Sequence, residues 1–258
     1  MACFDAAVFD LDGVVTITAS VHSAAWKELF DGFLRAREQR TGEPFQPFTE
    51  ADYRTYVDGR PRRDGIRSFL AARGISLSEG SPTDAPGVAT IAGLARRKND
   101  LFQERLQRGG VEVDPDAIAF IRNLRAYGVR VGAASSSKNA QIVLESADIS
   151  ELFDTRVDGV TSEQLRLRGK PAPDLFLTCL HQLGVQDPLR ALVAEDATVG
   201  VEAGRAGGFG LVLGVDRGGR ASDLRAHGAD WVIGSFREIS FERVEQWFRE
   251  RARKERCA

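Results

Sequence analysis

The sequence predicts an α/β protein, a parallel sheet wrapped by helices and interrupted after its first strand by a helical insertion. Two observations carry this. From Asp114 onward, short apolar runs without alternation, such as "VRVGAAS", "ALVAE" and "GLVLGV", take turns with helical segments, the texture of strands covered on both faces. One more such run, "AAVF" from Ala6, stands alone near the N-terminus, and a long stretch without clear strands separates it from the others. The predicted core is therefore discontinuous, residues 1–16 and 111–258, with residues 17–110 as an inserted helical cap.

Each element follows from its residues. The first strand ends where Asp-Leu-Asp-Gly breaks it, which puts Asp10 at a strand's carboxyl end. A helix is predicted over about 20–40, with Ala25, Leu29 and Phe33 at four-residue spacing, Trp26, Phe30 and Leu34 beside them, and Gly42 to close it. Another covers 62–73 and stops at Gly74. The turn-rich "SEGSPTDAPG" leads into a helix through "LARRKNDLFQERL" that breaks at Gly109-Gly110. "DPDAIAFIRNLRAYG" is a helix with Asp114 as its cap and Pro115 in its first turn. The strands "VRVGAAS", "TRVDGV", "ALVAE", "GLVLGV" and "ADWVI" then alternate with helices such as 173–183 and 198–206. The closing "FRERARKER" reads as a solvated helix end rather than a binding arm.

The 258 residues, 43% of them hydrophobic, suffice for one substantial core and a smaller second one. Lys and Arg nearly balance the acids, for a formal charge of -2, so no global positive field draws the chain to nucleic acid or anionic lipid. Cys3, Cys179 and Cys257 are odd in number and lack CxxC spacing, which favours reduced thiols over a disulfide framework or a zinc site. The chain reaches Asp5 without the makings of a signal peptide, and no later run could span a bilayer. A soluble, cytoplasmic monomer is expected, without nucleic-acid or membrane partners.

In open α/β sheets, ligands sit beyond the carboxyl ends of the strands. Four polar groups fall there: Asp10 and Asp12 after the first strand, Ser135 at the end of "VGAAS", Lys170 in "RGKPAPD", and Glu195-Asp196 ending "ALVAE". Clustered carboxylates repel, so a divalent cation and Lys170 would offset them. Oxygen-only donors in a site that must also admit substrate favour Mg²⁺. Each group alone has a plainer reading. "DLDG" could be a turn or a fragment of a calcium loop, Glu195-Asp196 or Ser135 to Asn139 could cap helices, and Lys170 could be an exposed loop lysine. Their order and shared placement at strand ends argue against those readings.

These segments resemble the four motifs of the haloacid dehalogenase (HAD) superfamily: "FDLDGVVT", Ser135 in "AASSSKN", Lys170 in "GKPAPD", and "EDATVGVEAGRAGG". With "RKND", they are similar to its β-phosphoglucomutase-like subgroup, and the resemblance spans nearly the whole chain. It implies a Rossmann-like parallel-sheet core, the HAD fold, with an inserted helical-bundle cap. It also implies that Asp10 is a nucleophile forming an aspartyl phosphate, with Asp12 protonating the departing oxygen and later deprotonating the acceptor. Residues two apart on an extended segment project to one side, so both carboxylates can reach one phosphoryl group. Mg²⁺ would be held by Asp10, the backbone carbonyl of Asp12, and Glu195 and Asp196, while Ser135 donates a hydrogen bond and Lys170 balances charge.

By the same resemblance, Arg62, Ser137, Lys138 and Asn139 match residues that hold a distal phosphate, and His22 and Lys98 match residues that govern proton delivery and sugar orientation. Thr18, Trp26 and Gly59 complete the expected substrate-binding set. The plainer readings make Arg62 and Arg63 solvated helix charges, His22 a buried hydrogen-bonding residue and Lys98 a group facing water. The expected activity is Mg²⁺-dependent phosphoryl transfer on a small sugar phosphate, β-glucose 1-phosphate to glucose 6-phosphate. A HAD phosphatase hydrolysing a small phosphomonoester is the alternative. A phospho-receiver signalling domain and a noncatalytic sugar-phosphate binder fit less well, the first because receivers place their acidic pair before the nucleophile. Two departures bear on the cap: Ile17 stands where the subgroup usually has aspartate, and "GRPRRD" is unusually basic. "REQRTGEPFQPF" and "SEGSPTDAPG" also extend the cap.

Overall fold

The computed structural model describes residues 3–257, with side chains described over 3–253, so the side chain of Cys257 and the last three of "FRERARKER" lie outside the described residues. The chain divides into two compact units, Thr18–Val111 and the residues on either side of that segment.

The outer unit holds strands β1 (Ala6–Phe9), β2 (Arg130–Ala134), β3 (Thr155–Val157), β4 (Ala191–Glu195), β5 (Leu211–Val215) and β6 (Trp231–Ile233). Among the described residues they form one six-stranded sheet in the order β3-β2-β1-β4-β5-β6, with every pairing parallel. This is the predicted α/β class. β1 is central and pairs Phe9 with Ala133 of β2 and with Ala194 of β4. Strand order reverses between β1 and β4, and a crevice opens beyond the carboxyl ends of strands at such a switch point.

Thr18–Val111 contains α1 (Ala19–Thr41), the single turn α2 (Glu50–Asp52) running into a π-helical turn at Tyr53–Val57, α3 (Arg62–Ala72) and α4 (Ile91–Gly109). Gly42 ends α1 in the left-handed region, its N–H donating to the Glu38 carbonyl. The expected stripe on α1 is shifted slightly: Ala25, Trp26, Leu29, Phe30 and Leu34 are buried, whereas Phe33 is half-buried. The extension "REQRTGEPFQPF" is mostly exposed but anchors to this unit's core through its last residue. Phe48 is buried with its ring 5.0 Å from both Phe30 and Phe69, and its N–H donates to Asp31 Oδ1 at 2.8 Å.

Downstream, the strands alternate with α5 (Pro115–Ala126), α6 (Ala140–Ser146), α7 (Gly159–Leu165), α8 (Asp174–Gln182), α9 (Thr198–Ala206), α10 (Ala221–Ala226) and α11 (Phe241–Cys257). Alternate residues of β1 enter different cores. Ala7 and Phe9 pack with α5 and α11, while Ala6 and Val8 pack with α8 and α9. Burial on both faces explains the unbroken apolar run, and each large side chain so buried contributes about 1.5–3 kcal/mol. Cys179 is one of these core residues, and Cys3 and Cys179 are free thiols.

Strand boundaries depart most from expectation at "TRVDGV". "TRVDGV" is a strand only to Val157, because the Asp158 carboxylate accepts the N–H groups of Val160 and Thr161 and starts α7 at Gly159. A capping aspartate thus outcompetes strand propensity. No helix among the described residues is long and apolar enough to cross a membrane.

Candidate active site

The register of β1 with β4 brings Asp10 level with Glu195, and the Asp10 N–H donates to the Ala194 carbonyl at 3.0 Å. Lys170, from the loop before α8, joins the two: its Nζ donates to Asp10 Oδ1 and to Glu195 Oε2, both at 2.6 Å. Lys170 is 3% exposed, Asp10 5% and Glu195 0%, so this is a buried triad and not a surface ion pair. The plainer reading of Lys170 as an exposed loop lysine does not hold.

Asp196 completes the acidic group. Asp10, Glu195 and Asp196 each place a carboxylate oxygen within 4.8 Å of the others. Two glycines make room for them. Gly13 has φ +83°, and a β-carbon there would lie 2.0 Å from Asp196 Oδ2. Gly200 in α9 lies over the Glu195 carboxylate, where a β-carbon would fall 1.9 Å from Oε2. Glu195 Oε1 also accepts the N–H groups of Asp196 and Ala197, so one oxygen serves the helix start while the other meets Lys170.

Burial pushes the Asp10 carboxyl well above the usual carboxylate range; the Glu195 carboxylate adds to that rise and Lys170 opposes it. Burial alone would lower Lys170, but Asp10 and Glu195 outweigh it and hold the ammonium charged, above its ordinary range. Three buried carboxylates converge here, and Lys170 pairs with two of them, Asp10 and Glu195. Such a close oxygen-only donor set fits a hard divalent cation.

Asp12 stands apart from that cluster. It is half-buried, and its Oδ2 accepts a long 3.5 Å hydrogen bond from Ser135 Oγ, which in turn accepts the Ser137 N–H at 3.1 Å. The structure thus brings Asp10, Lys170, Glu195 and Asp196 together, and joins Asp12 to Ser135 beside them. Ser137 Oγ accepts the N–H of Asn139, which is buried and precedes α6. Lys138 is exposed and ion-paired with Glu163 of α7 at 2.6 Å.

In the helical unit, Lys98 is only 2% exposed and does not face water. Its Nζ lies 2.7 Å from His22 Nδ1 and over the rings of Trp26 and Phe102. Arg62 donates to Asn99 Oδ1 at 2.9 Å and to the Ala95 carbonyl at 3.3 Å, and burial lowers its pKa to about 10 against the opposing charge of Asp100. It is not a solvated helix charge. Thr18 is buried immediately before α1, and Gly59 takes the left-handed conformation just before Arg60-Pro61.

Sequence reasoning passed over Gly13, Gly200 and the segment "DRGGR" after β5. There Arg217 donates to the carbonyls of Gly13 and Val14, and Arg220 to the carbonyl of Asp196. The only local signal is a Gly-Gly turn between two arginines, which says nothing about what they reach.

A family model described as haloacid dehalogenase-like hydrolase matches residues 4–208. A Mycobacterium tuberculosis protein named β-phosphoglucomutase is 47% identical over 238 residues, covering 91% of this chain and 90% of its own. A Thermotoga maritima protein named phosphorylated carbohydrates phosphatase is 26% identical, over 82% of this chain and 85% of its own. The crystal structure of a β-phosphoglucomutase from Clostridium difficile superposes with a TM-score of 0.77 at 24% identity, covering 96% of this chain and 99% of that one. That likeness extends the agreement to the fold.

Proposed function

The chain belongs to the haloacid dehalogenase-like hydrolase family, and from that premise we propose that it is a β-phosphoglucomutase, converting β-glucose 1-phosphate to glucose 6-phosphate through an aspartyl phosphate. The observation that carries the chemistry is the Lys170 bridge between Asp10 and Glu195, with Asp196 within reach.

In this reading the Asp10 carboxylate attacks phosphorus. A new O–P bond forms on Asp10, the bond from phosphorus to the departing oxygen breaks, and Asp12 delivers the proton that oxygen needs. In the return step Asp12 removes a proton from the acceptor hydroxyl, which takes the phosphoryl group from Asp10. Ser135 orients Asp12 by its hydrogen bond, and Lys170 keeps the Asp10 carboxylate aimed and partly neutralised. Asp10, Glu195, Asp196 and the Asp12 carbonyl would hold Mg²⁺, which supplies neutralising charge for the phosphoryl oxygens. Ser137, Lys138 and Asn139 are assigned to a second phosphate, as a mutase working through a bisphosphate requires. Thr18, His22, Trp26, Gly59, Arg62 and Lys98 are assigned to sugar-phosphate recognition.

One observation favours a phosphatase instead: Glu163 occupies the Lys138 ammonium that a second phosphate would need. The product decides. Full-length protein given β-glucose 1-phosphate, Mg²⁺ and a catalytic amount of glucose 1,6-bisphosphate should yield glucose 6-phosphate. Inorganic phosphate as the main product, without isomerisation, moves the assignment to a phosphatase.

A further inference from the structure

The acidic centre is assembled from two loops on different strands, and its geometry depends on how far apart those loops stand. The first follows β1. Its Leu11 carbonyl accepts the N–H groups of Val14, Val15 and Thr16, and the Gly13 N–H donates to the Thr16 carbonyl at 2.8 Å, a turn that sets where the Asp12 and Gly13 peptides point. The second is Glu195-Asp196 at the end of β4. The two loops meet at the Asp10–Ala194 hydrogen bond.

A third segment, Asp216 to Arg220 after β5, reaches both. Arg217 Nε donates to the Gly13 carbonyl at 2.7 Å and its Nη2 to the Val14 carbonyl at 3.0 Å. The same guanidinium forms an ion pair with Asp114, the N-cap of α5, whose own N–H donates to the Val15 carbonyl. Arg220 Nη2 donates to the Asp196 carbonyl at 3.1 Å. The segment that carries both arginines is itself fixed, because the Asp216 carboxylate accepts the N–H groups of Gly218, Arg220 and Ala221.

We infer that Arg217 and Arg220 are positioning residues for the acidic centre, holding the Gly13–Val14 and Asp196 backbones at the separation that lets Asp10 and Asp196 share one divalent cation. This rests on the metal-dependent reading above. The strand order gives the physical reason. β5 neighbours β4 but not β1, so the β1 loop can be tied to the β5 side only by a side chain long enough to pass β4. Arginine has that reach, and its planar fork serves two carbonyls and a carboxylate at once, which a lysine ammonium on a single point cannot reproduce. Arg217 touches no expected substrate group, so its influence passes through backbone positions.

The test is direct cation binding by full-length protein, measured by titration calorimetry with Mg²⁺ and by electron paramagnetic resonance with Mn²⁺, beside thermal unfolding. Arg190→Ala is the control. Arg190 pairs with Asp5 at the opposite ends of β4 and β1, so its loss removes a comparable ion pair far from the acidic residues. Arg217→Lys should bind Mn²⁺ about tenfold more weakly than wild type and Arg217→Ala up to about a hundredfold, the range expected when a supporting partner of a metal site is lost. Added guanidinium should restore part of the affinity of Arg217→Ala. Arg190→Ala should lower the melting temperature while binding Mn²⁺ as wild type does. Wild-type affinity in Arg217→Lys and Arg217→Ala, or a loss in Arg190→Ala that matches theirs, would overturn the inference alone. A wild-type protein that binds neither ion would overturn the metal-dependent reading and this inference with it.

Discussion

Gly13 and Asp196 approach so closely that a single added β-carbon on the first would sit 2.0 Å from a carboxylate oxygen of the second. The turn after β1 and the acidic end of β4 are therefore fitted to one another at the level of one atom, and the +83° φ of Gly13 adds a backbone reason for glycine. Gly13→Ala should cost about 1 kcal/mol or more in stability from the backbone alone. Displacing Asp196 should lower kcat/KM about a hundredfold, since misplacement by about 1 Å has that effect. Urea unfolding and steady-state kinetics on the same preparation check both. Unchanged kcat/KM would show that Asp196 need not hold this place.

Asp10→Ala should form no phosphoenzyme, whereas Asp12→Ala should still be phosphorylated slowly by a donor with a good leaving group such as acetyl phosphate. Intact-protein mass spectrometry reads the added phosphoryl group. Undiminished sugar-phosphate turnover by Asp10→Ala would defeat the nucleophile assignment.

Lys170→Met removes the one ammonium shared by two buried carboxylates. Breaking a buried ion pair from one side costs about 3–5 kcal/mol. Urea unfolding without metal should show a loss of that order, and excess Mg²⁺ should recover part of it. A loss below about 1 kcal/mol, the worth of an exposed pair, would mean that the triad is solvated.

Asp10 has a raised folded-state pKa, so its protonated form is favoured by folding. The stability it contributes is present below its ordinary value of 3.8 and is lost as pH rises through the higher folded-state value. Lys170 stays charged throughout this range because its own pKa is raised. In metal-free protein the stability difference between wild type and Asp10→Asn should therefore turn against wild type as pH rises above 3.8. Saturating Mg²⁺ should reverse that trend and stabilise wild type by about 2.7 kcal/mol at a hundred times its Kd. Melting temperatures across pH, with EDTA or Mg²⁺, give the answer. A difference independent of pH would refute the buried-carboxylate account.

Glu163→Gln frees Lys138 from a 2.6 Å exposed ion pair. Such pairs are worth about 0.2–1 kcal/mol, so the variant should bind glucose 1,6-bisphosphate roughly 1.4- to fivefold more tightly, with kcat little changed. Weaker bisphosphate binding would show that Glu163 supports this loop and does not compete for it.

Much of this site was legible in the chain. "DLDG", Ser135 and Glu195-Asp196 stand at strand ends that apolar runs announce, whereas Lys170 comes from the loop between α7 and α8 and not from a strand end, and "AAVF" and "ALVAE" are strands over their full length. Most of what escaped notice shares one property. Gly13, Arg217 and Arg220 matter through partners distant in sequence, as Arg217 does through Gly13, 204 residues away, whereas Gly200 matters through the fold of the Glu195 side chain back onto the start of α9. The late start of α7 in "TRVDGV" was missed for a local reason: Asp158 serves a helix cap as readily as a strand.

By itself the sequence determined which segments could be covered on both faces, because a short, unbroken apolar run with β-branched residues in it, bounded by turn residues, suits a strand buried from either side, and it determined which chemical groups terminate them. Only the tertiary structure decided that β1 lies between β2 and β4, and that Lys170 meets Asp10 across 160 residues. Local preference acts over a few neighbouring residues. Strand order and the convergence of buried charges depend instead on long-range packing, where hydrophobic burial holds like charges together until a counter-charge makes the arrangement stable.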